Sequence, residues 1–105
     1  ELSNGESAFA YFTEAIEDHA LYLLDEPENS LSAKFQLKLA RFIEDSARFY
    51  HCQFIIATHS PFLLALPFAK IYDLDETPPQ NKVWTKLADI EVYRNFFKEH
   101  EGEFL

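Results

Sequence analysis

Asp25 and Glu26 stand side by side at the end of a continuous apolar run, Ala20-Leu21-Tyr22-Leu23-Leu24. Adjacent carboxylates in that position have a defined use. One holds Mg²⁺, usually through water, because Mg²⁺ keeps several waters and takes one or two carboxylates. Its neighbour orients and deprotonates an attacking water. A solvated acidic turn at a strand end has the same pattern, and the bare string is compatible with both. His59 follows a second apolar run, Gln53-Phe54-Ile55-Ile56-Ala57, in the string Thr58-His59-Ser60-Pro61. An imidazole there can donate a hydrogen bond to a phosphate or to the attacking water; a satisfied loop histidine is the plainer alternative. Ser3-Asn4-Gly5-Glu6 is the third stretch. Ser3 and Glu6 have the spacing of a capping box. The helix end they mark exposes unpaired N–H groups and a positive dipole end, which suits a phosphate. Gly5 lets the backbone approach closely. Taken singly, this stretch reads better as an ordinary cap.

These residues need elements to position them. After the cap at Ser3, Phe9, Phe12 and Ile16 recur at helical spacing. The run from Ala20 to Leu24 suits a strand buried on both faces of a parallel sheet. A loop, Glu28-Asn29-Ser30-Leu31, leads into an amphipathic helix from Ser32 to Tyr50. Its apolar positions Phe35, Leu39, Phe42, Ile43 and Phe49 step by three or four. Gln53 to Ala57 is the second buried strand. Ser60 as N-cap and Pro61 at the first helical position open a short helix, Phe62 to Leu66, closed by Pro67. A third strand is expected at Lys70 to Leu74. The turn Thr77-Pro78-Pro79-Gln80-Asn81 returns the chain into a fourth at Lys82 to Lys86. Asp89 caps a last helix, Ile90 to His100. Strands alternating with helices predict an α/β layer with a mainly parallel sheet. In such a sheet the carboxyl ends of the strands face the ligand crevice, where Asp25, Glu26 and His59 fall.

Composition narrows the function. The chain has 105 residues, enough for one small domain, with 48% apolar residues and 11 Phe to form a core. Its two glycines, Gly5 and Gly102, lie at opposite ends. Neither a GxxxxGK(S/T) loop nor a GxGxxG turn is therefore present. Eighteen acidic and nine basic residues give a net charge of −9. That disfavours direct contact with nucleic acid and with anionic membranes. The longest apolar run, Phe62 to Ala69, is interrupted by Pro67 and falls short of the ~20 residues that span a bilayer, so no membrane insertion is expected. The lone cysteine, Cys52, forms no internal disulfide, which fits a cytoplasmic setting. The chain contains no Met, as expected of a processed or excised piece. His19, His51 and His100 show no shared ligand spacing and read as surface residues, and nothing suggests zinc. Cys52, Trp84, Phe96 and Phe97 read as packing residues.

The three stretches together have a recognisable order: a Ser-x-Gly-Glu helix start, a strand ending in DEP, and a strand ending in THS. The order resembles the C-terminal half of an ABC-class ATPase domain over nearly the whole chain. Leu2-Ser3-Asn4-Gly5-Glu6-Ser7 is similar to the signature motif, LSGGQ or LSGGE. Leu21 to Glu26 resembles Walker B, Ser30-Leu31-Ser32 falls at the D-loop, and His59 matches the switch histidine. DEPENSLS with IIATHSPFLLALPFAKIYDLDE is most similar to soluble bacterial AAA, SMC-like and OLD-like ATPases. Transporter subunits more often read SALD and THD at these places. Asn4 stands where the signature has glycine, Ser32 where the D-loop has aspartate, and no Walker A or Q-loop is present.

The resemblance implies residues 1–105 as the C-terminal part of an ATPase head that binds and hydrolyses ATP with Mg²⁺. It implies Asp25 on Mg²⁺, Glu26 as general base and His59 on the γ-phosphate. Ser3, Asn4, Gly5 and Glu6, with Ser30, would contact nucleotide across a homodimer or paired heads. The competing expectations are a non-catalytic interaction module that keeps unused signatures, and the ATP-binding subunit of a membrane transporter.

Overall fold

The computed structural model describes Ala10, Thr13, Glu14 and residues 16–105. Ala10, Thr13 and Glu14 are helical. Ser3, Asn4, Gly5 and Glu6, with the helix start they predict, lie outside the described residues. The chain divides into two compact units, Glu1–Pro67 and Phe68–Leu105.

The first unit is built on a strand–helix–strand arrangement. β1 (Leu21–Asp25) and β2 (Gln53–Ala57) pair in parallel, from Leu21↔Gln53 to Asp25↔Ala57. Between them runs α1 (Ala33–Phe49), capped by the Ser32 hydroxyl, which accepts from the Phe35 N–H. After β2 comes a single helical turn, α2 (Pro61–Leu64). Leu39, Ala40 and Ile43 of α1 and Leu63 of α2 are buried together. Leu24, Phe54 and Ile56 from one strand face pack on them, with Leu31, Phe62 and Leu66. On that face Tyr22 and Phe54, paired in register, stack with ring centroids 5.5 Å apart.

The other strand face is open. Leu23 is 71% and Ile55 56% exposed, and Leu21 is exposed beside them. The expectation of strands buried on both faces therefore holds on one face only, because α1 covers one side of the pair.

In the second unit β3 (Tyr72–Asp73) and β4 (Gln80–Asn81) form a short antiparallel hairpin. The Lys82 ammonium lies 2.8 Å from both Asp73 and Glu76 and ties the loop to its base. A 3₁₀ turn, Trp84–Lys86, precedes α3 (Ala88–Glu99), and a second, Glu101–Phe104, follows it.

Two expectations are corrected here. The strand at Lys82 to Lys86 is absent: the edge of β3 is already paired by Gln80 and Asn81, so the chain leaves the hairpin and coils at Trp84. The last helix begins at Ala88 behind an N-cap at Leu87, and Asp89 sits in its first turn with Glu91, where a negative charge favours the dipole. Phe96 and Phe97 do pack, against each other edge to face, though both remain more than half exposed. No helix among the described residues is long and apolar enough to cross a membrane.

Candidate active site

The parallel register decides what meets at the carboxyl ends of the strands. Asp25 sits opposite Ala57. The Glu26 N–H then donates to the Ala57 carbonyl at 2.7 Å, so the ladder extends one bond past the strand. Glu26 takes a left-handed backbone, φ 46°, which turns the chain sharply into Pro27. The Asn29 N–H donates back to Glu26 O at 3.1 Å, and the Leu31 N–H to Glu28 O at 2.9 Å. Ser30, also left-handed at φ 70°, completes this compact turn before the Ser32 cap. Non-glycine residues seldom adopt that conformation, and it clusters at sites where function constrains the backbone.

Asp25, Glu26 and His59 thus leave the same end of the strand pair, and all three are exposed. Adjacent carboxylates such as those of Asp25 and Glu26 are the hard oxygen donors that suit Mg²⁺. Ser30 lies on the adjoining turn.

The residue that joins the two loops is Glu28, which the sequence shows only as part of a polar loop. The Thr58 hydroxyl donates to Glu28 Oε1 at 2.6 Å, and the His59 N–H donates to Oε2 at 2.9 Å. The Ser60 N–H donates to the Thr58 hydroxyl at 3.0 Å. The buried Ser60 hydroxyl donates to Gln36 Oε1 at 2.7 Å, and the Gln36 side-chain amide donates to Leu31 O at 3.1 Å. Ser60, the expected N-cap of α2, makes no side-chain cap bond; its hydroxyl is engaged by α1 instead. The network runs from the acidic turn through the His59 loop into α1 and back to the turn.

Burial pushes the Glu28 carboxyl up, but the hydrogen bonds from Thr58 and His59 outweigh it and hold it below its ordinary value. Glu28 is therefore an anion at neutral pH. The signal that could have found it is a third carboxylate two residues after Glu26, but only the register places it beside Thr58 and His59.

A family model described as "AAA domain, putative AbiEii toxin, Type IV TA system" matches residues 1–65. That span holds all of the predicted site residues, from Ser3 to His59. No curated protein and no solved structure matches the chain.

Proposed function

Because the chain belongs to this AAA-domain family of P-loop ATPases, we propose that it supplies the hydrolytic side of an ATP site in a head of ABC type. The observation that carries the reading is that Asp25, Glu26 and His59 follow the same end of a parallel strand pair, with Glu28 tying the two loops together. A fixed distance between a general base and a phosphate-contacting donor is what in-line water attack requires.

In this reading Glu26 accepts the proton of the attacking water. Its left-handed backbone turns it out of the strand, beyond the ladder that fixes Asp25. Asp25 is the residue that would hold Mg²⁺, which when bound neutralises charge on the phosphates. His59 donates to the γ-phosphate, and Glu28 holds its backbone N–H. Ser3, Asn4, Gly5 and Glu6, as the signature stretch, would reach the nucleotide of a paired head, with Ser30 contributing from the D-loop. Ser32, where the family's D-loop has aspartate, caps α1 here.

The open face of Leu21, Leu23 and Ile55 supports a further layer. Parallel sheets are normally covered on both faces, and the half of the domain that carries the phosphate-binding loop would cover this one. The net charge of −9 supports a segment that makes no direct contact with nucleic acid. The thiol of Cys52, which is in no disulfide, fits a reducing, cytoplasmic setting.

The test is phosphate release from ATP by the full-length protein with Mg²⁺, compared with Asp25→Asn and His59→Ala. Both variants should lose turnover, and only Asp25→Asn should shift the Mg²⁺ concentration needed. Turnover unchanged in both would remove the site from this end of the sheet.

A further inference from the structure

We propose that Asp18, His19 and His51 form a binding site for a divalent transition-metal ion of the zinc class. The site lies at the amino ends of β1 and β2. Each strand spans five residues, so its two ends are about 13 Å apart at ~3.3 Å per residue, and the site stands independently of the ATPase reading.

The parallel register builds it. Leu21 pairs with Gln53, so the residues two places earlier, His19 and His51, become neighbours across the strand pair. Their rings stack with centroids 5.0 Å apart and planes 17° from parallel. The Asp18 carboxylate lies 2.9 Å from His19 Nδ1 and 3.9 Å from His51 Nδ1. One ligand atom from each of the three residues lies within 4.8 Å of the others.

The backbone beneath is fixed from both sides. The His19 N–H donates to Tyr50 O at 2.8 Å, and the Gln53 N–H to Ala20 O at 2.9 Å. The Cys52 thiol donates to Glu17 O at 3.0 Å. Both histidines hold left-handed backbones, φ 59° and 56°. His51 does so just after the C-cap of α1, Tyr50, a position usually given to glycine. Two loops far apart in sequence thus present imidazoles to one point from a tied scaffold, the preorganisation a metal site needs.

The donor set selects the ion. Two imidazole nitrogens and one carboxylate suit Zn²⁺, Ni²⁺ or Cu²⁺, whereas Mg²⁺ and Ca²⁺ prefer all-oxygen shells. The side chains are exposed, so rotation about their χ angles can close the ligands to the ~2.0–2.1 Å of a zinc bond, with water in the remaining position.

The experiment titrates ZnCl₂ into the full chain by calorimetry in a buffer without affinity for metal, with MgCl₂ as the comparison. One Zn²⁺ should bind per chain with micromolar affinity, and Mg²⁺ should not compete. His19→Asn and His51→Asn, which keep a residue that tolerates the left-handed backbone, should each weaken Zn²⁺ at least tenfold. His100→Asn should change nothing. Should a variant misfold by circular dichroism, the imidazole resonances of the unaltered chain decide: those of His19 and His51 should move with Zn²⁺, and those of His59 and His100 should stay. No saturable binding, or shifts centred on His59 or His100, would overturn the site.

Discussion

Glu28→Gln probes the link between the acidic turn and the His59 loop with almost no change in shape. The carboxylate accepts two hydrogen bonds, from the Thr58 hydroxyl at 2.6 Å and the His59 N–H at 2.9 Å. An amide keeps one acceptor oxygen and turns an NH₂ toward the other donor. Hydrogen bonds to a charged group contribute about 1.5–3 kcal/mol when the partner would otherwise be stranded. Glu28 is only half-buried, so water recovers part of the loss, and the net cost should be about 1–2 kcal/mol at pH 7. For a domain of this size that lowers Tm by roughly 5–15 °C. The pH dependence has a definite sign. The folded-state value of Glu28 lies below its ordinary 4.5. Its contribution is therefore fully present above about pH 4.5 and is lost as pH falls through the lower, folded value. Thermal melts by circular dichroism should show a gap between the unaltered chain and Glu28→Gln at pH 7 that closes in acid. Thr58→Val should be non-additive with Glu28→Gln, by about 0.5 kcal/mol or more. Equal melting at pH 7, a gap that persists unchanged in acid, or strict additivity would refute the clamp.

The remaining expectations address packing and assembly. The Ser46 hydroxyl is buried in α1 with no hydrogen-bond partner among the described residues. Ser46→Ala should leave stability unchanged or raise it by about 1 kcal/mol in a denaturant melt; a loss beyond that would reveal an unseen partner. The 105-residue chain by itself should give no micromolar isotherm with Mg-ATP in calorimetry, because it contains no GxxxxGK(S/T) loop to cradle the phosphates. Ser3→Arg should block ATP-driven pairing of the full-length protein in sedimentation, whereas Ser3→Ala, at about 0.5–2 kcal/mol for a lost cap, should not.

The parts that sequence made visible are those whose burial is local. Continuous apolar runs predict strands at Ala20 to Leu24 and Gln53 to Ala57, and the strands form at Leu21–Asp25 and Gln53–Ala57. The three-to-four-residue apolar spacing from Ser32 to Tyr50 yields α1 at Ala33–Phe49. What depends on a partner was hidden. Lys82 to Lys86 has strand-like residues, but a strand exists only where an edge is free to pair, and Gln80 and Asn81 already occupy that of β3. Glu28 looks like one polar loop residue among several until the register sets it beside Thr58. His19 and His51 look unrelated, since no spacing rule joins them; only the pairing of Leu21 with Gln53 stacks their rings. The ends of α3 moved because Asp89 serves its helix from the first turn rather than from the cap.

The most direct test of the ATPase reading is Glu26→Gln in the full-length protein, with ATP turnover and ATP affinity measured on the same sample. Removing a general base lowers turnover by about 10²–10⁴, while binding should survive because Asp25 remains to hold Mg²⁺. Turnover that survives, or ATP binding that is lost with it, would contradict the role given to Glu26 at the end of β1.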